Sequence, residues 1–300
     1  MTRNLAVFAF AALASAQTGT LDVAMLGYTA DSAGAVRPIR GIPASATLGA
    51  PIETGLHGVA VRAAYALGID DSGAAILITA AGRRPLGIAG ATGVFLSTRG
   101  TAAAIWRASN STADILTGLP DAPAVVRSIP LNAAPNAVAL SDDGASVAVL
   151  ERSTSGVDTV SWIAGSATPA VVHRSRRIQS IAMLDGAVLV AEPRAVKLVS
   201  ASFGPQTVVD GVDGVLSAAA SADGARVVVG MSSGKIEIID RAAGLRRTLD
   251  CGCTPNALAP LRGNAVFRLN EPGADPLWLL EADSAEPRLL FVAAPAGGVQ

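Results

Sequence analysis

The sequence predicts an all-β fold: a single closed β-propeller, of seven four-stranded blades by the count below, with six or eight as alternatives. Three observations carry this. Short apolar runs alternate with small residues at period two, as in strands with two different faces. Polar turns ending in glycine separate paired runs, and the pairs recur at a step near the propeller period of about 40 residues.

The clearest unit is Asn136–Leu150. Val138 and Leu140, then Val147 and Val149, alternate with small residues, and Ser141-Asp142-Asp143-Gly144 separates them. Asp and Ser side chains can bond their own backbone in a turn, and glycine accepts positive φ without steric cost. Ala218–Val229 is the nearest copy, Leu67–Ile78 another and Ile181–Val190 a shortened one. Weaker copies centre on Gly34, Gly100 and Gly263. The turn glycines are then Gly34, Gly73, Gly100, Gly144, Gly186, Gly224 and Gly263, at steps of 39, 27, 44, 42, 38 and 39 residues. In a second register, Pro135-Asn-Ala-Val-Ala139 and Pro255-Asn-Ala-Leu-Ala259 nearly coincide 120 residues apart, three such steps. A third run follows each turn: Leu86–Ile88, Ile115-Leu116, Val160–Ile163, Lys197–Val199, Ile236–Ile239 and Leu277–Leu280. A sandwich or solenoid could use similar hairpins, but short solenoids repeat every 20–29 residues or so.

Pro135–Ala164 and Val215–Asp240 resemble repeats of the YVTN type, a propeller branch related to Trp-Asp repeats. The shared features are an Ala-x-Ser-x-Asp-Gly core, preceded by Pro135 in the first segment, a valine strand, a Ser/Gly turn and a final Val/Ile strand. The Tyr-Val-Thr-Asn tetrapeptide is replaced by Val149-Leu-Glu-Arg152 and Val229-Gly-Met-Ser232. The resemblance implies the propeller fold. Because YVTN-type propellers resemble lactonase propellers, it also implies hydrolysis of a sugar lactone as an alternative activity.

Along the chain, residues 1–16 read as a cleaved secretory signal. Arg3 supplies charge, Leu5–Leu13 the apolar run and Ala14-Ser15-Ala16 the small-residue cleavage site, leaving 17–300 as one propeller domain. A membrane span needs about 20 apolar residues, and this run is far shorter. No later stretch suits a spanning helix, and at 4% aromatic residues the chain lacks the girdles of an outer-membrane barrel. The expected location is secreted or periplasmic. Closure of the ring is expected from Arg288–Val292 pairing with Leu21–Met25 or a nearby segment, removing exposed edges.

The formal charge of −1 does not resemble the basic balance of a nucleic-acid binder. The expected partner is another protein or a polysaccharide. No cofactor motif is present, so no cofactor is expected. Cys251 and Cys253, the only cysteines, can form a local disulfide in an exported chain, provided Gly252 turns the backbone. Free thiols or redox work are the alternatives. Those cysteines with His57 and His173 match no compact zinc spacing. Gly230-Met-Ser-Ser-Gly234 matches the hydrolase elbow pattern, but its flanks read as two strands, whereas the elbow needs a strand and a helix. Asp70-Asp71 and Asp210–Asp213 read as turn acids rather than a calcium loop. Asn110-Ser-Thr112 is a glycosylation sequon.

In a propeller, turns after the second strand share a face with the links between blades. That face should collect Arg83, Arg84, Arg107, Glu151, Arg152, Glu192, Arg194, Asn270 and Glu271. The links should add His57, Arg174, Arg176, Arg177, Arg246 and Arg247. The binding set chosen from these is Arg107, Glu151, Arg152, Glu192, Arg194, Asn270 and Glu271, with no catalytic residue and no metal ligand assigned. Guanidinium groups suit carboxylates, phosphates and acidic sugars. The leading functional reading is a non-catalytic binding scaffold.

Overall fold

The computed structural model describes residues 24–293 apart from 274, 284 and 285. The expected signal segment lies outside them. Seven antiparallel sheets follow one another along the chain and form the blades of a ring. Innermost strands are Met25–Ala30, His57–Val61, Gly93–Leu96, Ala137–Leu140, Ser180–Leu184, Val215–Ala220 and Ala259–Pro260 for blades 1 to 7. Each lies against the innermost strand of the next blade from blade 1 through blade 7. Blades 2 to 7 have four strands, and blade 1 has three among the described residues: Met25–Ala30, Val36–Arg40 and Thr47–Leu48.

The Ser-Asp-Asp-Gly turn forms for the reason its residues suggest. Ser141 Oγ accepts from the Ser146 N–H at 2.9 Å and donates to Asp143 Oδ1, which accepts from the Ala145 N–H at 2.9 Å. Gly144 takes φ +70°, a region that costs glycine nothing. Blade 6 repeats the network with Ser221, Asp223, Ala225 and Arg226.

Two strand expectations need correction. Leu67–Ile78 is not an innermost hairpin. It spans the second and third strands of blade 2, Ala66–Ile69 and Ala75–Thr79, so Gly73 sits at the opposite end of the blade from the other turn glycines. The innermost turn of blade 2 is Arg62-Ala63-Ala64-Tyr65, which contains no glycine. This explains the uneven steps of 39 and 27 residues. Leu86–Ile88 correspondingly lies beyond the outermost strand, Gly82–Pro85. The other third-strand expectations coincide with third strands.

Of the expected closing segment, Leu21, Asp22 and Val23 lie outside the described residues; the described part differs. Arg288–Val292 pairs with Leu277–Glu281 as the outermost strand of blade 7, while Met25 pairs with Arg40 within blade 1. No described strand is shared between the two blades. They close instead by packing: Leu26 and Ile39 of blade 1 form one buried cluster with Leu261, Val266, Leu277, Leu279 and Val292. Backbone bonding adds the Arg262 N–H donating to Leu26 O at 2.9 Å. The exposed edge of blade 1 is only Thr47–Leu48, and edges that short give little template for pairing with another chain.

Candidate functional site

Several arginines join neighbouring blades, Arg84 and Arg246 of the predicted face among them. Arg127 of blade 3 donates to Gly144 O at 2.7 Å and Ala145 O at 3.0 Å in blade 4. Arg84 of blade 2 donates to Pro120 O at 2.6 Å in blade 3, and Arg246 of blade 6 to Val208 O at 2.7 Å in blade 5. Arg226 and Arg241 pair with Asp283 and Asp185 of neighbouring blades. A guanidinium carries five donors in a fixed fork, enough to satisfy carbonyls on two elements at once.

Individual placements follow. Arg83 and Arg84 lie in the outermost strand of blade 2 rather than in a second-to-third-strand turn, and Arg83 bonds Asp70 at 2.8 Å. Arg246 and Arg247 likewise belong to the outermost strand of blade 6, and Arg174 to that of blade 4. Arg107 pairs with Asp114 at 2.8 Å. Arg194 pairs with Asp213 at 3.1 Å, both exposed. Arg152 is held by its own N–H on Asn136 Oδ1 at 2.8 Å, and its guanidinium reaches Ile178 O at 3.4 Å. Glu151 ends the second strand of blade 4 beside it.

Glu192 is buried between blades 4 and 5. It bonds His173 Nε2 at 2.6 Å and Lys197 Nζ at 2.8 Å. Burial pushes its carboxyl up, but hydrogen bonds from Lys197, His173 and Ser175 outweigh that and leave it below the ordinary glutamate value. His57 instead bonds Asp71 at 2.8 Å on the surface. Among the described residues no three His, Cys, Asp or Glu side chains gather as metal ligands.

Asn270 and Glu271 do lie together, at one cavity. It is an open cleft of about 710 Å³ between blades 6 and 7, on the face of the second-to-third-strand turns. Asp250, Asn256, Glu271 and Asp275 line it with Trp278 and the hydroxyls of Ser232, Ser233 and Thr254, and among the described residues no lysine, arginine or histidine does. Asn270 fixes one wall. Its Oδ1 accepts from the Trp278 N–H at 2.8 Å and its amide donates to Pro276 O at 3.0 Å, bracing the blade 7 loop across its own hairpin. Trp278 stands 6.0 Å, ring centre to ring centre, from Phe291, which is 67% exposed. Cys251 and Cys253 are disulfide-bonded, their Cα atoms 5.1 Å apart, and Cys253 and Gly252 form part of the rim. The Gly230–Gly234 segment is a hairpin turn between Arg226–Met231 and Lys235–Asp240, and its serines enter the same cleft. Sequence reasoning missed Asp250, Asp275 and Trp278 as a group. They come from two blades, and only the ring brings them together.

The axial channel forms a second, smaller cavity of about 210 Å³. At one end the innermost turn of blade 3 crosses to the far side of the ring. Thr98 Oγ1 donates to Met183 O of blade 5 at 2.7 Å, and Arg99 Nε donates to Ala222 O of blade 6 at 2.8 Å. Tyr65 and Asp142 hold the same turn through Gly100 O and the Arg99 N–H, at 2.5 and 2.9 Å.

No protein-family model matches the chain, and no curated protein matches it in sequence. Solved structures do. A functionally unknown protein from Desulfotomaculum acetoxidans superposes at TM-score 0.59 and 11% identity, covering 91% of this chain and 96% of that one. An oligogalacturonate lyase in complex with manganese gives 0.58 and 12%, covering 89% and 84%. Apo AztD from Citrobacter koseri gives 0.58 and 12%, covering 91% and 96%. At such identities the likeness extends to architecture alone. The chain is a seven-bladed β-propeller with an acidic cleft, lined in part by Trp278, between its sixth and seventh blades.

Proposed function

We propose that this chain is an exported, non-catalytic binding propeller that holds a neutral or amino-sugar polysaccharide in the cleft between blades 6 and 7. The supporting observation is the lining: carboxylates, amides and hydroxyls arranged around an indole, with no basic side chain among the described lining residues. Carboxylates and amides accept from sugar hydroxyls or ammonium groups. A half-buried Trp offers a large apolar face beside a polar edge. An anionic polymer would meet the carboxylates of Asp250, Glu271 and Asp275 there. The local disulfide suits an oxidising compartment, in keeping with the signal-like start of the sequence. We read blades 4 and 6 as divergent YVTN-type repeats. Lactone hydrolysis is less well supported, because the cleft lining has no cationic group to meet a developing oxyanion.

The test is calorimetric titration of the folded protein with soluble neutral glucans, chitosan oligomers and polygalacturonate. Saturable binding of a neutral or cationic polymer, lost in Asp250→Asn/Glu271→Gln and retained in Arg152→Ala/Arg194→Ala, is the expected result. Binding of polygalacturonate alone, abolished by the arginine pair, would replace this reading with the anionic one.

A further inference from the structure

The axial channel carries a separate feature that the cleft does not explain. Arg62 follows the innermost strand of blade 2 and lines the channel. Nε donates to Ser97 O at 2.9 Å, Nη1 to Val61 O at 2.9 Å and Nη2 to Leu96 O at 3.0 Å. Those bonds use three of five N–H groups. No carboxylate lies within 4.0 Å of the guanidinium among the described residues. Packed protein lowers its pKa, an effect opposed by Tyr65 and the more distant Asp142. A second guanidinium, Arg268 of blade 7, is 8% exposed; Glu271 offsets part of its burial, and it is near enough to Arg62 to interact with it electrostatically. Arg268 Nη1 donates to Thr29 Oγ1 at 3.2 Å, and its Nε has no partner. Arg62 is thus a cation on the channel wall with two N–H groups left over and no carboxylate in direct contact among the described residues, an arrangement that costs free energy unless an anion compensates it.

The rest of the channel limits that anion. Its walls include Leu140, Ile181, Ala182, Ala218 and Leu258, which are apolar. The blade 3 turn blocks one mouth. Asn256 lines both the channel and the cleft, so the open end lies beside the cleft. About 210 Å³ is below the usual range of about 300–1,000 Å³ for drug-sized ligands.

We infer that the axial channel is a blind pocket for a small aliphatic monocarboxylate, seated with its carboxylate on Arg62 and its chain against the apolar inner strands. This goes beyond the polysaccharide reading and does not depend on it.

The experiment is a titration of the full chain with butyrate at constant ionic strength, followed by calorimetry and melting temperature, with 1-butanol, butylamine and chloride as controls. Saturable stabilisation by butyrate alone is expected. Arg62→Lys should weaken it about tenfold by losing the planar fork. Ala182→Phe narrows the channel without touching the bonds of Arg62 and should abolish the response while the protein still melts cooperatively. Equal stabilisation by butanol or chloride, or unchanged butyrate affinity in Ala182→Phe, would overturn the inference. Glucan binding in the cleft is read separately, so the two proposals fail independently.

Discussion

Blades 4 and 6 and the seam formed by blades 7, 1 and 2 solve the same packing problem with different means. The regular blades have four strands, a side-chain-locked Ser-Asp turn and cores of valine, leucine and isoleucine. The seam has a blade with three strands among the described residues, two-residue strands at Thr47–Leu48 and Ala259–Pro260, and two buried guanidinium groups near the axis. It is held by apolar contact across the gap and by arginine-to-carbonyl bonds. The difference teaches that, among the described residues, the last blade is joined to the first by packing its own outer hairpin against it.

The largest test removes that hairpin. Deleting residues 286–300 takes away Arg288–Val292 and with it Val292 from the seam cluster. We expect loss of the cooperative melt. A truncated protein melting at the parent temperature would show that blade 7 does not close the ring.

Substitution of matched glycines sharpens the contrast. Both Gly34 and Gly144 have positive φ, +73° and +70°. An added Cβ at Gly34 would meet Leu56 O at 2.0 Å, whereas at Gly144 it would meet Ile115 Cγ2 at 3.0 Å, a side chain that can give. Gly34→Ala should cost about 3 kcal/mol and Gly144→Ala about 1 kcal/mol by denaturant midpoint. Equal costs would mean that the seam is no tighter than the regular arc. Asp143→Ala, which removes one turn acceptor, should cost about 1 kcal/mol.

A smaller effect depends on pH. Glu192, Asp143 and Asp223 are all held below their ordinary carboxyl values, Glu192 and Asp223 despite burial acting first in the opposite sense. A carboxyl whose folded pKa is depressed contributes stability that is present above its unfolded value and lost as pH falls through the folded value. Stability should therefore decline below about pH 4.5, within the ordinary carboxyl range. Glu192→Gln should flatten that decline, as read from urea midpoints across the acid range.

The repeat was legible because Ser141–Gly144 and Ser221–Gly224 carry their turn geometry in adjacent residues. Blade 2 was misread because an Asp-x-x-Gly turn looks the same between first and second strands as between second and third. Its true inner turn, Arg62–Tyr65, has no turn residue at all. The arginine face was legible only as charge. Which guanidinium meets a carbonyl on the next blade, as Arg84 and Arg127 do, depends on contacts between segments about 17 to 38 residues apart. The cleft was half legible: Asn270 and Glu271 fall beside a recognisable turn, but Asp250 joins them only across a blade boundary.

The most direct test of the proposed function is the calorimetric titration of the intact protein with chitosan oligomers and neutral glucans, alongside Asp250→Asn/Glu271→Gln. Saturable binding that disappears in the double variant, with the melt unchanged, is the result predicted. Binding that survives the loss of both carboxylates would contradict the assignment of the cleft between blades 6 and 7.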